Sequence, residues 1–133
     1  MSWRYLRYER AVLIHDRLMA EEGQRPEPPL HPGKLESALH RPRAEAFGEE
    51  FFPTLAEKAS VLLQGIVIAH PFVDGNKRVG LGCMLAFLRM NGLPFVPLTD
   101  TLYDFVLQVT TGELREVDAM AARLRELFAP HLG

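Results

Sequence analysis

Thr54-Leu55-Ala56-Glu57-Lys58-Ala59-Ser60-Val61-Leu62-Leu63-Gln64-Gly65-Ile66-Val67-Ile68-Ala69 runs directly into His70-Pro71-Phe72-Val73-Asp74-Gly75-Asn76-Lys77-Arg78, and the rest of the chain reads outward from this stretch. Its first four residues form a capping box: the Thr54 hydroxyl can bond the Glu57 backbone N–H while the Glu57 side chain reaches back. Leu55, Ala59, Leu62, Leu63, Ile66 and Val67 then make a stripe too wide for a surface helix. This is the expected central helix, buried nearly all round, with Gly65 allowing a neighbour to come close. Pro71 disfavours a helical conformation in the residue before it, so the helix should end at Ala69-His70. The nine residues that follow are polar and crowded, which a plain connection between two core helices does not require.

Beyond the loop, a helix is expected from about Asn76 to Asn91. Val79, Cys83, Met84, Phe87 and Leu88 lie on its apolar face, and Gly92 terminates it. Gly80 and Gly82 in its early turns cost about 1 kcal/mol each relative to alanine, a cost that a close helix or ligand approach would explain. Pro94 to Pro97 reads as a short extended link. Asp100 is placed to cap a helix through Thr110, with Leu102, Phe105, Val106 and Val109 inward and Gly112 at its end. The last helix, about Leu114 to Phe128, carries Val117, Met120, Ala121, Leu124, Leu127 and Phe128 on one face. Arg115, Glu116, Arg123 and Glu126 form its solvated side.

Upstream, Ala11, Ile14 and Leu18 mark one face of a helix from Tyr8 to Glu22, closed by Gly23. His15, beside Ile14, reads as structural. After a proline-rich loop, Pro32 opens a second helix with Leu35, Ala38 and Leu39, which stops before Pro42. Arg43 to Phe52 has no clear period and is read as a loop or flap. The chain is therefore expected to be all-α: a compact single-domain bundle of about six helices, with residues 1–133 as one domain.

At 133 residues the chain can bury roughly two thirds of its unfolded surface. A net charge of −2 gives no global pull towards nucleic acid or anionic membrane, so direct nucleic-acid binding is not expected and any anion site must be local. The single cysteine, Cys83, rules out an internal disulfide and a Cys-rich zinc site, and reads as a small core residue. No signal peptide or membrane span is legible, which predicts a soluble cytoplasmic protein.

The loop itself carries the chemistry. The helix after it offers unpaired N–H groups and the positive end of its dipole, and Gly75 permits an unusual turn just before. Together these make an anion nest. Lys77 and Arg78 add two cations where an isolated helix would disfavour them, which points to a polyphosphate ligand. Asp74 can hold Mg²⁺, an ion that commonly takes one or two carboxylates together with substrate phosphates. Asn76 can cap the helix or contact a phosphate oxygen. His70, with an ordinary pKa near ~6.5, can accept a proton from an attacking hydroxyl. Singly, His70 reads as a helix C-cap, Asp74-Gly75 as a turn and Asn76 as a cap; jointly they supply the parts of phosphoryl transfer.

The nine residues from His70 to Arg78 resemble the signature of the Fic/Doc superfamily, in its Doc (death-on-curing) branch. Ile14-His15-Asp16, Phe87-Leu88-Arg89-Met90-Asn91-Gly92 and Thr111-Gly112-Glu113 are similar to Doc-type sequences in the same order. The resemblance implies a helical toxin of a toxin–antitoxin pair. Doc-type toxins are ATP-dependent kinases that phosphorylate a threonine of elongation factor Tu, and a small Phd-like antitoxin neutralises them in trans. Carried over, His70 is the general base, Asp74 the Mg²⁺ ligand, Asn76, Lys77 and Arg78 the phosphate contacts, and Gly75 a backbone contributor to the nest. Val79 departs from the threonine usual in Doc. Lys77 replaces the glycine of AMP-transferring Fic enzymes, and Leu81 replaces their second arginine; both changes favour phosphate over AMP transfer. An AMP transferase and an inactive Fic-like binding module are the alternatives.

Overall fold

The computed structural model describes residues 2–94 and 99–132. The helices are α1 (Tyr8–Glu21), α2 (Pro32–His40), α3 (Leu55–Ala69), α4 (Asn76–Met90), α5 (Asp100–Thr111) and α6 (Val117–Leu127). A 3₁₀ turn (Arg41–Arg43) and an antiparallel hairpin of β1 (Glu45–Ala46) and β2 (Glu49–Glu50) occupy the connection from α2 to α3. The molecule is predominantly helical, as expected, and this hairpin is the one sheet among the described residues. No helix among them is long and apolar enough to cross a membrane.

α3 is the axis. Its capping box forms in full: Thr54 Oγ1 accepts from the Glu57 N–H at 3.2 Å, and Glu57 Oε1 accepts from the Thr54 N–H at 3.3 Å. Such caps contribute about 1 kcal/mol each. Leu62, Leu63, Ile66 and Val67 of α3 share one core with Met84, Phe87 and Leu88 of α4, Phe105 and Val106 of α5, and Met120 and Leu124 of α6. Gly80 explains how close α3 and α4 come: a Cβ there would lie 2.9 Å from Val67 Cγ1 and 3.1 Å from Leu63 Cδ1. At Gly82 a Cβ would lie 3.0 Å from Ile14 Cγ2 of α1. Both glycines therefore serve helix–helix approach.

Several boundaries differ from expectation for local reasons. Thr99, not Asp100, caps α5, its Oγ1 accepting from the Leu102 N–H at 3.2 Å. Asp100 instead begins the helix, where its carboxylate favours the positive end. α6 starts at Val117 and not near Leu114, because Leu114 N–H turns back to Gln108 O at 3.0 Å and Arg115 Nε bonds Gly112 O at 2.9 Å. The flap acquires its hairpin from Phe47 and Gly48, both at positive φ (53° and 81°), the backbone that a tight two-residue hairpin turn needs. The extended reading of Pro94 to Pro97 falls mainly on residues outside those described.

Lys58 is the unexpected member of α3. It is fully buried, with Nζ donating to Pro42 O at 3.0 Å and to Glu50 Oε1 at 2.8 Å, and it lies 5.7 Å from the Trp3 ring and 5.6 Å from that of Tyr5. One buried cation thus ties the N-terminal segment, the 3₁₀ turn and β2 to the central helix. Glu50→Ala leaves that cation short of its anionic partner and is expected to cost about 1.5–3 kcal/mol in urea unfolding. Lys58→Met, which removes the charge with its need for a partner, should cost less. Fluorescence of Trp3, the sole tryptophan, follows both.

Candidate active site

The break between α3 and α4 is built from two left-handed residues. His70 closes α3 at φ 50°, ψ 59°, and Gly75 precedes α4 at φ 79°, ψ 16°. Pro71 accounts for the end of α3 at His70, since it disfavours the right-handed helical conformation in the residue before it. Glycine satisfies the second, and a Cβ there would also come 2.4 Å from Met19 Cε. Between them Phe72 is 2% exposed, driven into the core, which pulls the flanking polar residues to the surface as a tight loop.

Asn76 holds that loop together. Its Oδ1 accepts from the Phe72 N–H at 3.0 Å, and its Nδ2 donates to Phe72 O at 2.9 Å and faces His70 Nδ1 at 3.3 Å. The two Phe72 bonds fix which way the amide points, because one partner only donates and the other only accepts. Its Oδ1 is taken by Phe72 and it is the first residue of α4, so Asn76 is not the side-chain cap, and its two amide hydrogens already face Phe72 O and His70 Nδ1. Gly75 is the N-cap residue. What Asn76 offers an anion is its backbone N–H.

The nest is correspondingly specific. Gly75 N–H is taken by Asp74 Oδ1 at 2.8 Å, and Gly75 O accepts from Val79 N at 2.9 Å, so Gly75 contributes conformation more than a donor. The N–H groups of Asn76, Lys77 and Arg78 are those that a helix start leaves without intrahelical partners. They open on a cleft of about 410 Å³ lined by His70, Asp74, Gly75, Asn76, Lys77 and Arg78, together with Glu22, Gln24, Val73 and Tyr103. All six residues singled out from the sequence meet in this one cleft. A larger cleft, about 710 Å³, lies at the other end of the α1–α4 pair among Arg4, Arg10, Leu85 and Phe128, away from the histidine and the acid.

His70, Asp74, Lys77 and Arg78 are solvent-exposed, as groups that meet a ligand must be. Arg78 is ion-paired with Glu22, the residue that ends α1. The Arg78 guanidinium is thus already matched by a carboxylate. No ion pair engages Lys77 among the described residues. Val79 is fully buried, so the departure from threonine adds packing in the core. Cys83 is buried too, and desolvation pushes its thiol up to about 12, which removes it as a nucleophile.

Three contributors lay beyond the sequence reading. Glu22 carried no more signal than the last charged residue before a helix-ending glycine. Tyr103 belongs to the exposed side of α5 and reaches the cleft through tertiary packing. His15 is buried, in keeping with a structural residue, and it packs directly behind the loop, its ring parallel to that of Phe72.

The Fic/DOC family model matches residues 5–88, which span α1 to α4 and contain the whole loop. The chain belongs to the Fic/Doc family. Among its relatives is the "Toxin Doc" of Mycolicibacterium smegmatis, 35% identical over 94 residues that cover 69% of this chain and 72% of the relative. Another is "Protein kinase doc" of Escherichia phage P1, 31% identical over 125 residues, covering 94% and 96%. In Fic/Doc terms the signature loop is therefore the cleft's floor, with α1 as its rear wall. Replacing Asn76 by alanine orphans the buried N–H and C=O of Phe72 and is expected to cost about 2–3 kcal/mol. Thermal and urea unfolding of Asn76→Ala measure this directly.

Proposed function

We propose that this Fic/Doc chain is the toxin of a toxin–antitoxin pair and acts as an ATP-dependent protein kinase. It would move the γ-phosphate of ATP to a serine or threonine hydroxyl of a translation factor of the elongation factor Tu type. The observation that carries the reading is the convergence of His70, Asp74, Lys77 and Arg78 on one cleft at the open N-terminus of α4. The length over which the chain matches a relative named a protein kinase supports the same reading. A Phd-like antitoxin acting in trans and a cytoplasmic setting follow from the toxin reading.

The chemistry is derived from these groups. The free N–H groups of Asn76, Lys77 and Arg78, with the Lys77 ammonium and the Arg78 guanidinium, hold the phosphates and stabilise charge as it moves onto the leaving oxygen. His70 takes the proton of the attacking hydroxyl, whose oxygen bonds to the γ-phosphorus as the bond to the β–γ bridging oxygen breaks and ADP leaves. Because Nδ1 of His70 accepts from Asn76, the neutral ring carries its hydrogen on Nε2. The incoming hydroxyl therefore either displaces the Asn76 N–H at Nδ1 or meets a ring that has exchanged tautomers.

No cluster of three or more His, Cys, Asp or Glu capable of caging a metal occurs among the described residues. A lone exposed Asp74 carboxylate nonetheless fits Mg²⁺, which retains waters and completes its shell with substrate phosphates. When bound, the ion would neutralise phosphate charge. Lys77 also argues against the AMP-transfer alternative, since by the family resemblance a side chain in place of glycine there would crowd the nucleotide path of those enzymes.

With ATP labelled at the γ-phosphate, the target protein should become labelled, and with α-label it should not; the opposite pattern would establish AMP transfer. His70→Ala should lower the transfer rate by about 10²–10⁴-fold. If His70→Ala and Asp74→Ala both stayed as toxic to cells as the parent, a non-enzymatic binding module would replace the kinase reading.

A further inference from the structure

His15 lies on α1, fifty-nine residues from Asp74 in sequence, and belongs to none of the groups assigned to transfer. Its side chain is 3% exposed. The ring lies on that of Phe72, with centroids 4.0 Å apart and planes inclined by 5°. Nε2 is 3.2 Å from the main-chain oxygen of Asp74, and Nδ1 is 3.2 Å from Oδ1 of Asp16. A carbonyl only accepts, so Nε2 must carry hydrogen and donate to it.

The loop's main-chain polar groups are held from distinct places. His31 N–H holds Pro71 O at 3.0 Å, and Asn76 holds both groups of Phe72. Asp74 Oδ1 takes Gly75 N–H, and Val79 takes Gly75 O. At the apex, the Asp74 carbonyl is bonded by His15. Rotation of the peptide between Asp74 and Gly75 would move the Asp74 side chain and the approach to the nest together.

We propose that His15 is a positioning residue: its Nε2–H fixes the Asp74 main chain, and thereby the direction of the Asp74 carboxylate and the form of the nest. It acts through Asp74 and touches no substrate. The activity side of this inference rests on the proposed phosphate and cation site, whereas the loop-ordering side does not.

Two nearly isosteric variants separate positioning from packing. His15→Gln retains an amide N–H near the position of Nε2, and His15→Met fills similar space with no donor. Amide hydrogen exchange of Asp74 to Lys77 is measured without ligand. Mn²⁺ affinity is measured by electron paramagnetic resonance in the presence of a non-hydrolysable ATP analogue. Thermal unfolding checks that both variants fold. For His15→Met we expect exchange about tenfold faster and Mn²⁺ binding about tenfold weaker, the scale of one lost hydrogen bond, with His15→Gln within about threefold of the parent. Equal exchange in His15→Met and the parent, or equal impairment of the two variants, would overturn the proposal. If the parent itself binds no Mn²⁺ with the analogue, the proposed cation site fails, and the exchange comparison still decides the role of His15. Should His15→Met not fold, slowed exchange in His15→Gln relative to His15→Ala supports the donor, and no difference between them refutes it.

Discussion

Burial of Phe72 converts a helix connection into the shaped floor of a polar cleft. A ring that size gains about 1.5–3 kcal/mol on leaving water, enough to hold an irregular backbone that a surface loop would not keep. Its descent into the core forces the chain to reverse on either side, through His70 and Gly75 at positive φ. The desolvated N–H and C=O of Phe72 then demand partners, and Asn76 supplies both from the first turn of α4. One apolar anchor and one amide thus determine where a histidine, a carboxylate and two cations stand.

The electrostatic design is local, as a chain of net charge −2 requires. Positive character at the start of α4 comes from three backbone N–H groups and two side chains, and the Arg78 charge is offset by Glu22. A surface pair of this kind contributes little to stability, about 0–1 kcal/mol. Its larger effect would be on occupancy, since under the proposed function a phosphate would gain Arg78 only by displacing Glu22. A distinct cation, Lys58, is spent entirely on architecture, although nothing in its type separates it from Lys77; burial alone assigns the two lysines different work.

Features governed by near neighbours were readable. Thr54 and Glu57 form the box their spacing specifies, Pro71 ends α3, and the apolar stripe of α3 makes it the axis of the bundle. The six residues of the loop could be gathered because they lie within nine positions. Tertiary pairings left no such trace. Nothing in the sequence around Lys58 marks Glu50, Pro42, Trp3 and Tyr5 as the groups that close round it. Asn76 offered two equally reasonable local roles and took a third, because the loop's own backbone competes for its amide. Thr99 took the cap from Asp100 because a cap is decided by which residue leaves the helix, and two adjacent capping types cannot be told apart by composition.

α1 has a further consequence for how such a chain can change over generations. His15, Met19 and Glu22 reach the loop at Asp74, Gly75 and Arg78 in turn, at spacings of four and three residues that keep all three on one helical face. Each helical residue advances the chain by about 100°. A single inserted or deleted residue between His15 and Glu22 would therefore swing at least one of these contacts off the site while leaving every residue of the signature loop untouched. The length of this helix segment is as much a part of the candidate site as the loop.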